Sequence, residues 1–177
     1  MAFKYCLNLS KNGYSVEGCD KIVRGDLEIP SMYKGLPVTG IVANAFRDCT
    51  ELTSVTIPDS VTSIGAYAFH GCTGLISVAI GNGVKYINSY AFHNCTNLTS
   101  IVIPDNVTSI KSWTFGFCEN LKKVSLPSTL KFAGKYVFFG CLDLEEVTLR
   151  YSNGTEEVYA VPDEDFMYAL FGNRGKD

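Results

Sequence analysis

The feature that most restricts this chain is a beat of 23 residues. Cys49, Cys72, Cys95, Cys118 and Cys141 recur at that interval, and so do Phe46, Phe69, Phe92, Phe115 and Phe138. Leu52, Leu75, Leu98, Leu121 and Leu144 keep step, followed by Val55, Val78, Ile101, Val124 and Val147 and then by Ile57, Ile80, Ile103, Leu126 and Leu149. Val61, Val84, Val107 and Leu130 continue the unit, and Ile64, Ile87 and Ile110 close it, with Ala133 the one shrunken copy. A unit this short cannot bury its own apolar side. It must stack on its neighbours, and stacking at a fixed period makes a solenoid with one continuous core.

Within each unit the alternation Val55-Thr56-Ile57 turns two β-branched residues inward and one polar residue outward, the period of a strand. Pro58, Pro104 and Pro127 end that strand, and Gly81 stands in the same place after Ile80. Val61 to Ile64 predicts a second short extended piece on the opposite face. Ala66 to Gly71 predicts a short helical turn that stops at glycine. Coils about 4.8 Å apart would make five repeats roughly 24 Å long. An upstream partial copy keeps the register: Leu27-Glu28-Ile29-Pro30 supplies a strand, Val38 and Ile41 align with Val61 and Ile64, and a loop with Tyr33, Lys34 and Gly35 is inserted between.

Composition narrows the function. A hydrophobic content of 46% suffices for one core in 177 residues. A formal charge of −3 offers no basic stripe, which argues against nucleic acid as a partner. No apolar run reaches the length that spans a bilayer, so no membrane insertion is expected. Residues 1–6 carry no apolar signal stretch, which leaves a cytoplasmic location and the prior removal of an export signal both open.

The runs CTELTSVTIPDSVTSIGAYAF (49–69) and CTNLTSIVIPDNVTSIKSWTF (95–115) resemble BspA-type leucine-rich repeats, and IPSMYKGLPVTGI (29–41) is similar to the way such domains open. The resemblance covers about residues 27–149. It implies a right-handed solenoid of 23-residue leucine-rich repeats, short parallel strands on one face and short strands and turns on the other. It also implies a non-catalytic adhesion or protein-interaction module on a cell surface, with a host protein, a matrix protein or a glycan as partner. No catalytic residue and no cofactor come with it. A structural spacer cut from a longer surface array is the alternative.

Both ends of a solenoid need covers. Residues 1–26 read as an N-terminal hairpin cap turning at Asn12-Gly13, which would place Cys6 opposite Cys19 as either a disulfide or two half-buried thiols. Residues 27–149 form the solenoid and residues 150–177 the C-terminal cap, with a hairpin turning at Ser152-Asn153-Gly154 and a short helix over 164–171.

Four sets of side chains are candidates for chemistry or binding. The repeat cysteines form a ladder, which suits small core thiols better than four ligands converging on zinc. His70 and His93 share one register but lack a third ligand. Tyr67, Tyr90, Trp113 and Tyr136 share another, two residues before the repeat Phe; they are either a partner-binding row or rings that pack the coil. On the strand face, Lys122 and Lys123 follow three neutral coils and meet Glu145 and Glu146, either as partner contacts or as pairs that fix register.

Overall fold

The computed structural model describes residues 3–19 and 23–160, and among them the chain is a β-solenoid with no helix. Each coil carries one strand on one face and a second on another, the second only two residues long after the first coil. On the first face lie β3 (Gly25–Glu28), β6 (Leu52–Ile57), β8 (Ser77–Ile80), β10 (Ser100–Val102), β12 (Lys123–Pro127) and β14 (Glu146–Arg150). On the second lie β5 (Leu36–Ile41), β7 (Ser63–Ile64), β9 (Tyr86–Ile87), β11 (Ser109–Ile110) and β13 (Phe132–Ala133). Pairing is parallel and in step with the sequence period: Val55 faces Val78, Val124 faces Val147, and Ile64 faces Ile87. The upstream partial copy joins in register, Leu27 opposite Val55 and Ile41 opposite Ile64.

The core is a set of columns. Phe46, Phe69, Phe92 and Phe115 are fully buried and stack with ring centroids 5.2, 5.2 and 5.4 Å apart. Cys72, Cys95 and Cys118 form the thiol column beside them, each donating S–H to the carbonyl of the repeat Phe one coil earlier: Phe46, Phe69 and Phe92, at 3.1 to 3.2 Å. A thiol at this position therefore fills space like a small hydrophobe and also ties two coils together.

The third side corrects the expectation of a helical turn at Ala66 to Gly71. Backbone N–H groups there alternate in direction. Tyr67, Phe69 and Gly71 donate to Ser89, Ala91 and His93 of the next coil, whereas Ala68, His70 and Cys72 donate three residues back. An α-helix would need every bond to run four residues back through right-handed backbone. This segment instead enters the left-handed region twice per coil, at Tyr67 (φ 58°) and Gly71 (φ 71°), and spends half its donors on the neighbour. The same pair of positions is left-handed in every coil: Asn44 and Asp48, Tyr90 and Asn94, Trp113 and Phe117, Tyr136 and Gly140.

At the N-terminal end, β1 (Phe3–Leu7) and β2 (Tyr14–Cys19) form an antiparallel hairpin whose second strand pairs with β5. Its turn is wider than two residues. Leu7 faces Tyr14 across a six-residue loop, in which Asn8 accepts from the Asn12 N–H at 3.1 Å and Lys11 takes the left-handed position (φ 55°). The shift, with a bulge at Lys4/Tyr5, sets Cys6 opposite Ser15 and Cys19 opposite Phe3, so the expected Cys6–Cys19 opposition does not form. The inserted loop is itself a small hairpin, β4 (Met32–Tyr33) against β5, and Tyr33 stacks on Tyr5 at 3.8 Å. At the other end, β15 (Glu156–Ala160) returns antiparallel on β14. The helix expected over 164–171 lies outside the described residues.

The first face is interrupted once. β3, β6 and β8 make one sheet, β10, β12, β14 and β15 another, and no ladder pairs β8 with β10. The last backbone bond before the gap, Thr99 N–H to Ile76, is stretched to 3.4 Å against 2.8 to 3.0 Å in the neighbouring coils. Behind it, β9 and β11 stay paired. Val78 and Ile80 are consequently half-buried where Val55, Ile57, Ile101 and Ile103 are buried, and a shallow groove runs along Val78, Ile80, Val102 and Arg150. Gly81 and Gly83 lie close against the preceding coil, where a Cβ at Gly83 would collide with the Asp59 carbonyl. Asn82 N–H also bonds the Asp59 carboxylate at 2.6 Å.

Candidate docking surface

The third side presents the aromatic row. Because each coil repeats the backbone of the last, residues 23 apart lie above one another, and their rings stack. Tyr67 and Tyr90 are 4.8 Å apart and 2° from parallel, and Tyr90 and Trp113 are 6.1 Å apart and 3° from parallel. Tyr136 departs, lying 4.8 Å from Trp113 with its plane tilted by 36°. Tyr67, Tyr90 and Trp113 are half-buried and Tyr136 is exposed. Parallel rings cover one another's faces, so this column shows solvent its edges and its phenol hydroxyls. Ring edges carry the positive end of the aromatic quadrupole, and they complement carbonyl and carboxylate oxygens.

The row is wider than the sequence register suggested. Phe117 is exposed and lies 6.2 Å from Trp113, and Phe139 meets Trp113 at 5.3 Å and Tyr136 at 5.8 Å. At the opposite end the Arg47 guanidinium sits 5.6 Å from the Tyr67 ring and 3.4 Å from Asp48. The surface thus grades from charged at its first coil to apolar at its last. Phe117 escaped notice because its register otherwise holds Asp48, Gly71, Asn94 and Gly140; the legible signal was one aromatic among residues that favour left-handed backbone.

His70 and His93 lie inside this surface. They stack 5.1 Å apart and 2° from parallel, and His93 also meets Tyr90, Trp113 and Phe117 at 5.2 to 6.0 Å. Neither Nδ1 atom has a hydrogen-bond partner, although Asp48 comes within 3.7 Å of that of His70. Burial, and after it the charge of His70, holds the His93 imidazole below its ordinary value. Among the described residues no three His, Cys, Asp or Glu side chains gather into a metal cage.

The other candidates separate. Burial pushes the Cys72 thiol up to about 12 and that of Cys95 well above the ordinary range, so both stay protonated. Lys123 lies opposite Glu146 in register, with Nζ 3.4 Å from the carboxylate. An exposed pair of this kind contributes at most about 1 kcal/mol. Lys122 and Glu145 are joined through their backbones, Glu145 N–H to the Lys122 carbonyl at 3.0 Å, with both side chains exposed. Among the described residues no helix is long and apolar enough to cross a membrane.

The model of the BspA type leucine rich repeat region matches residues 39–161 in six copies. A leucine-rich repeat protein of T. pallidum is 34% identical, with a TM-score of 0.80 over 82% of this chain and 67% of that one. A leucine-rich repeat protein from Bacteroides ovatus is 27% identical, with a TM-score of 0.62 over 82% of this chain and 45% of its own. A leucine rich cell surface protein from Faecalibacterium prausnitzii shares the fold at 22% identity, with a TM-score of 0.52 over 92% of this chain and 63% of that one. This chain therefore spans less than half of the Bacteroides ovatus chain. None of the curated proteins matches it. With six matched copies, a 23-residue coil and thiol and phenylalanine columns in register, the chain belongs to the BspA-type leucine-rich repeat family.

Proposed function

We propose that this protein is a non-catalytic interaction module, exposed at a cell surface, that grips a protein partner with the aromatic row. The observation that carries the reading is conformational. Tyr67, Tyr90, Trp113 and Tyr136 all hold left-handed backbone, which costs an L-residue with a bulky side chain about 1–2 kcal/mol. Asn44 occupies the same register one coil earlier at φ 61°, a residue that tolerates this conformation through its short polar side chain. Four aromatic residues kept where asparagine or glycine would sit with less strain point to selection for the rings themselves.

Edge-on presentation favours a protein over a sugar, because sugars stack on open ring faces and this column covers most of its own. The surface location is part of this proposal, and the description of the Faecalibacterium protein, alike in fold, as a cell surface protein is in keeping with it. The test is binding to arrayed extracellular-matrix and host-surface proteins, with a glycan array alongside, for the native chain and the double variant Trp113→Asn/Tyr136→Asn. Capture on the protein array, lost by at least about tenfold in the variant, is the expected result. Capture that survives the double change, or capture by glycans alone, would remove the row as a protein-docking surface. A chain that captures nothing would favour the spacer role within a longer array.

A further inference from the structure

We propose that acid switches this docking surface off, with the stacked His70–His93 pair as the sensor. The inference rests on the row being the docking surface. Its geometry is particular to two coils. The imidazoles lie face to face at 5.1 Å, where two positive charges repel. The His70 Nδ1 has a carboxylate beside it, Asp48 at 3.7 Å, itself shared with Arg47. Among the described residues His93 has none. Below it is His70, beside it on its own coil is Tyr90, and above it are Trp113, Phe117 and the Gly116 backbone, where an added Cβ would come within 3.0 Å of the imidazole. A proton arriving on His93 Nδ1 would find no acceptor.

Protonation of His93 therefore places an uncompensated cation among the rings that form the docking edge, face to face with the His70 imidazole. The relief available is for the His93 ring to leave the stack toward solvent, since it is only half-buried. That movement takes from Tyr90, Trp113 and Phe117 the one imidazole that all three meet, and leaves a gap in the middle of the docking edge. At neutral pH the His93 imidazole, held below its ordinary value by burial, is uncharged and the stack is intact.

Trp113 is the single tryptophan, so its emission reports the stack directly. The experiment follows Trp113 emission between about pH 7.5 and about pH 5 for the native chain, His93→Phe and His93→Gln, with far-UV circular dichroism to confirm that all remain folded. Phenylalanine is already present at this register as Phe139, so the first variant preserves a ring. The native chain should show a reversible quenching transition centred below the ordinary histidine value, and both variants should be flat. A flat native trace, or an equal transition in His93→Phe, would overturn the proposal. The protein array is then run at both ends of that pH range. Retention falling by at least about tenfold in acid for the native chain, and unchanged for His93→Phe, supports the switch. Partner retained equally at both pH values defeats the switch and leaves the docking surface standing. An emission transition with no partner captured at either pH defeats the docking surface, and the inference with it.

Discussion

At the residue scale, the repeat cysteine is explained by two demands met together. The column needs a side chain small enough to sit beside the stacked phenylalanines, and the Phe carbonyl one coil back needs a donor within reach, which Cys95 Sγ provides at 3.2 Å. Such thiols should be inert. Treatment of the folded protein with an alkylating reagent, read by mass spectrometry, should leave Cys72, Cys95 and Cys118 unmodified, with labelling only after denaturation. The left-handed aromatics make a second prediction. Tyr136→Asn exchanges a backbone penalty of about 1–2 kcal/mol for ring contacts worth about 0.5–1.5 kcal/mol. Stability read from thermal melting should therefore change by no more than about 1.5 kcal/mol, whereas rings kept for packing alone would make the change costly. His93 contributes a pH dependence whose sign is fixed by its lowered value. As pH falls through the ordinary histidine range the unfolded chain takes up the proton first, so stability is full above about 6.5 and declines below it. His93→Phe should flatten that part of the curve of melting temperature against pH.

At the scale of elements, the strands and columns were legible and the connections between them were not. The 23-residue period fixed which residues face inward, because a solenoid repeats one cross-section, and every buried Val, Ile, Leu and Phe of the pattern lies where its register puts it. Two features escaped. The Ala66–Gly71 segment carried a helix-like spacing, but its alternating hydrogen bonds depend on a neighbour 23 residues away, and no local pattern reports that. The N-terminal turn was misjudged for a related reason. Asn8, which closes the loop, lies outside the Asn12-Gly13 pair that dominates short-range turn signals, so Cys6 came to face Ser15. Of the proposed docking surface, the four-ring row was readable as a shared register, and its extension to Phe117 and Phe139 was not. Two substitutions test these elements. Phe92→Ala empties the middle of the ring column and should cost about 3–5 kcal/mol in chemical denaturation. Gly83→Ala should destabilise comparably to an overpacked core, by about 1–3 kcal/mol, because the Asp59 carbonyl occupies the space that the methyl needs.

For the whole molecule, a solenoid's stability is close to a sum of nearest-neighbour terms, so one weak interface matters more than it would in a globule. The unpaired junction of β8 and β10 is that interface on the first face. Native-state hydrogen exchange should find the amides of Val78–Ile80 and Ile101–Val102 opening at least about tenfold more readily than those of β6 or β12, and uniform protection along the face would refute the weakness. The second sheet and the turn ladder bridge the same junction, which keeps the two blocks joined in solution. Under tension the balance changes. A molecule anchored at one end and tethered to a partner at the other would carry the load along its axis, across every interface in series, and the junction without a ladder between β8 and β10 marks where it yields first. Extension would then begin as a hinge between two intact halves, with the rings of the third side still clasped on the far edge of the opening.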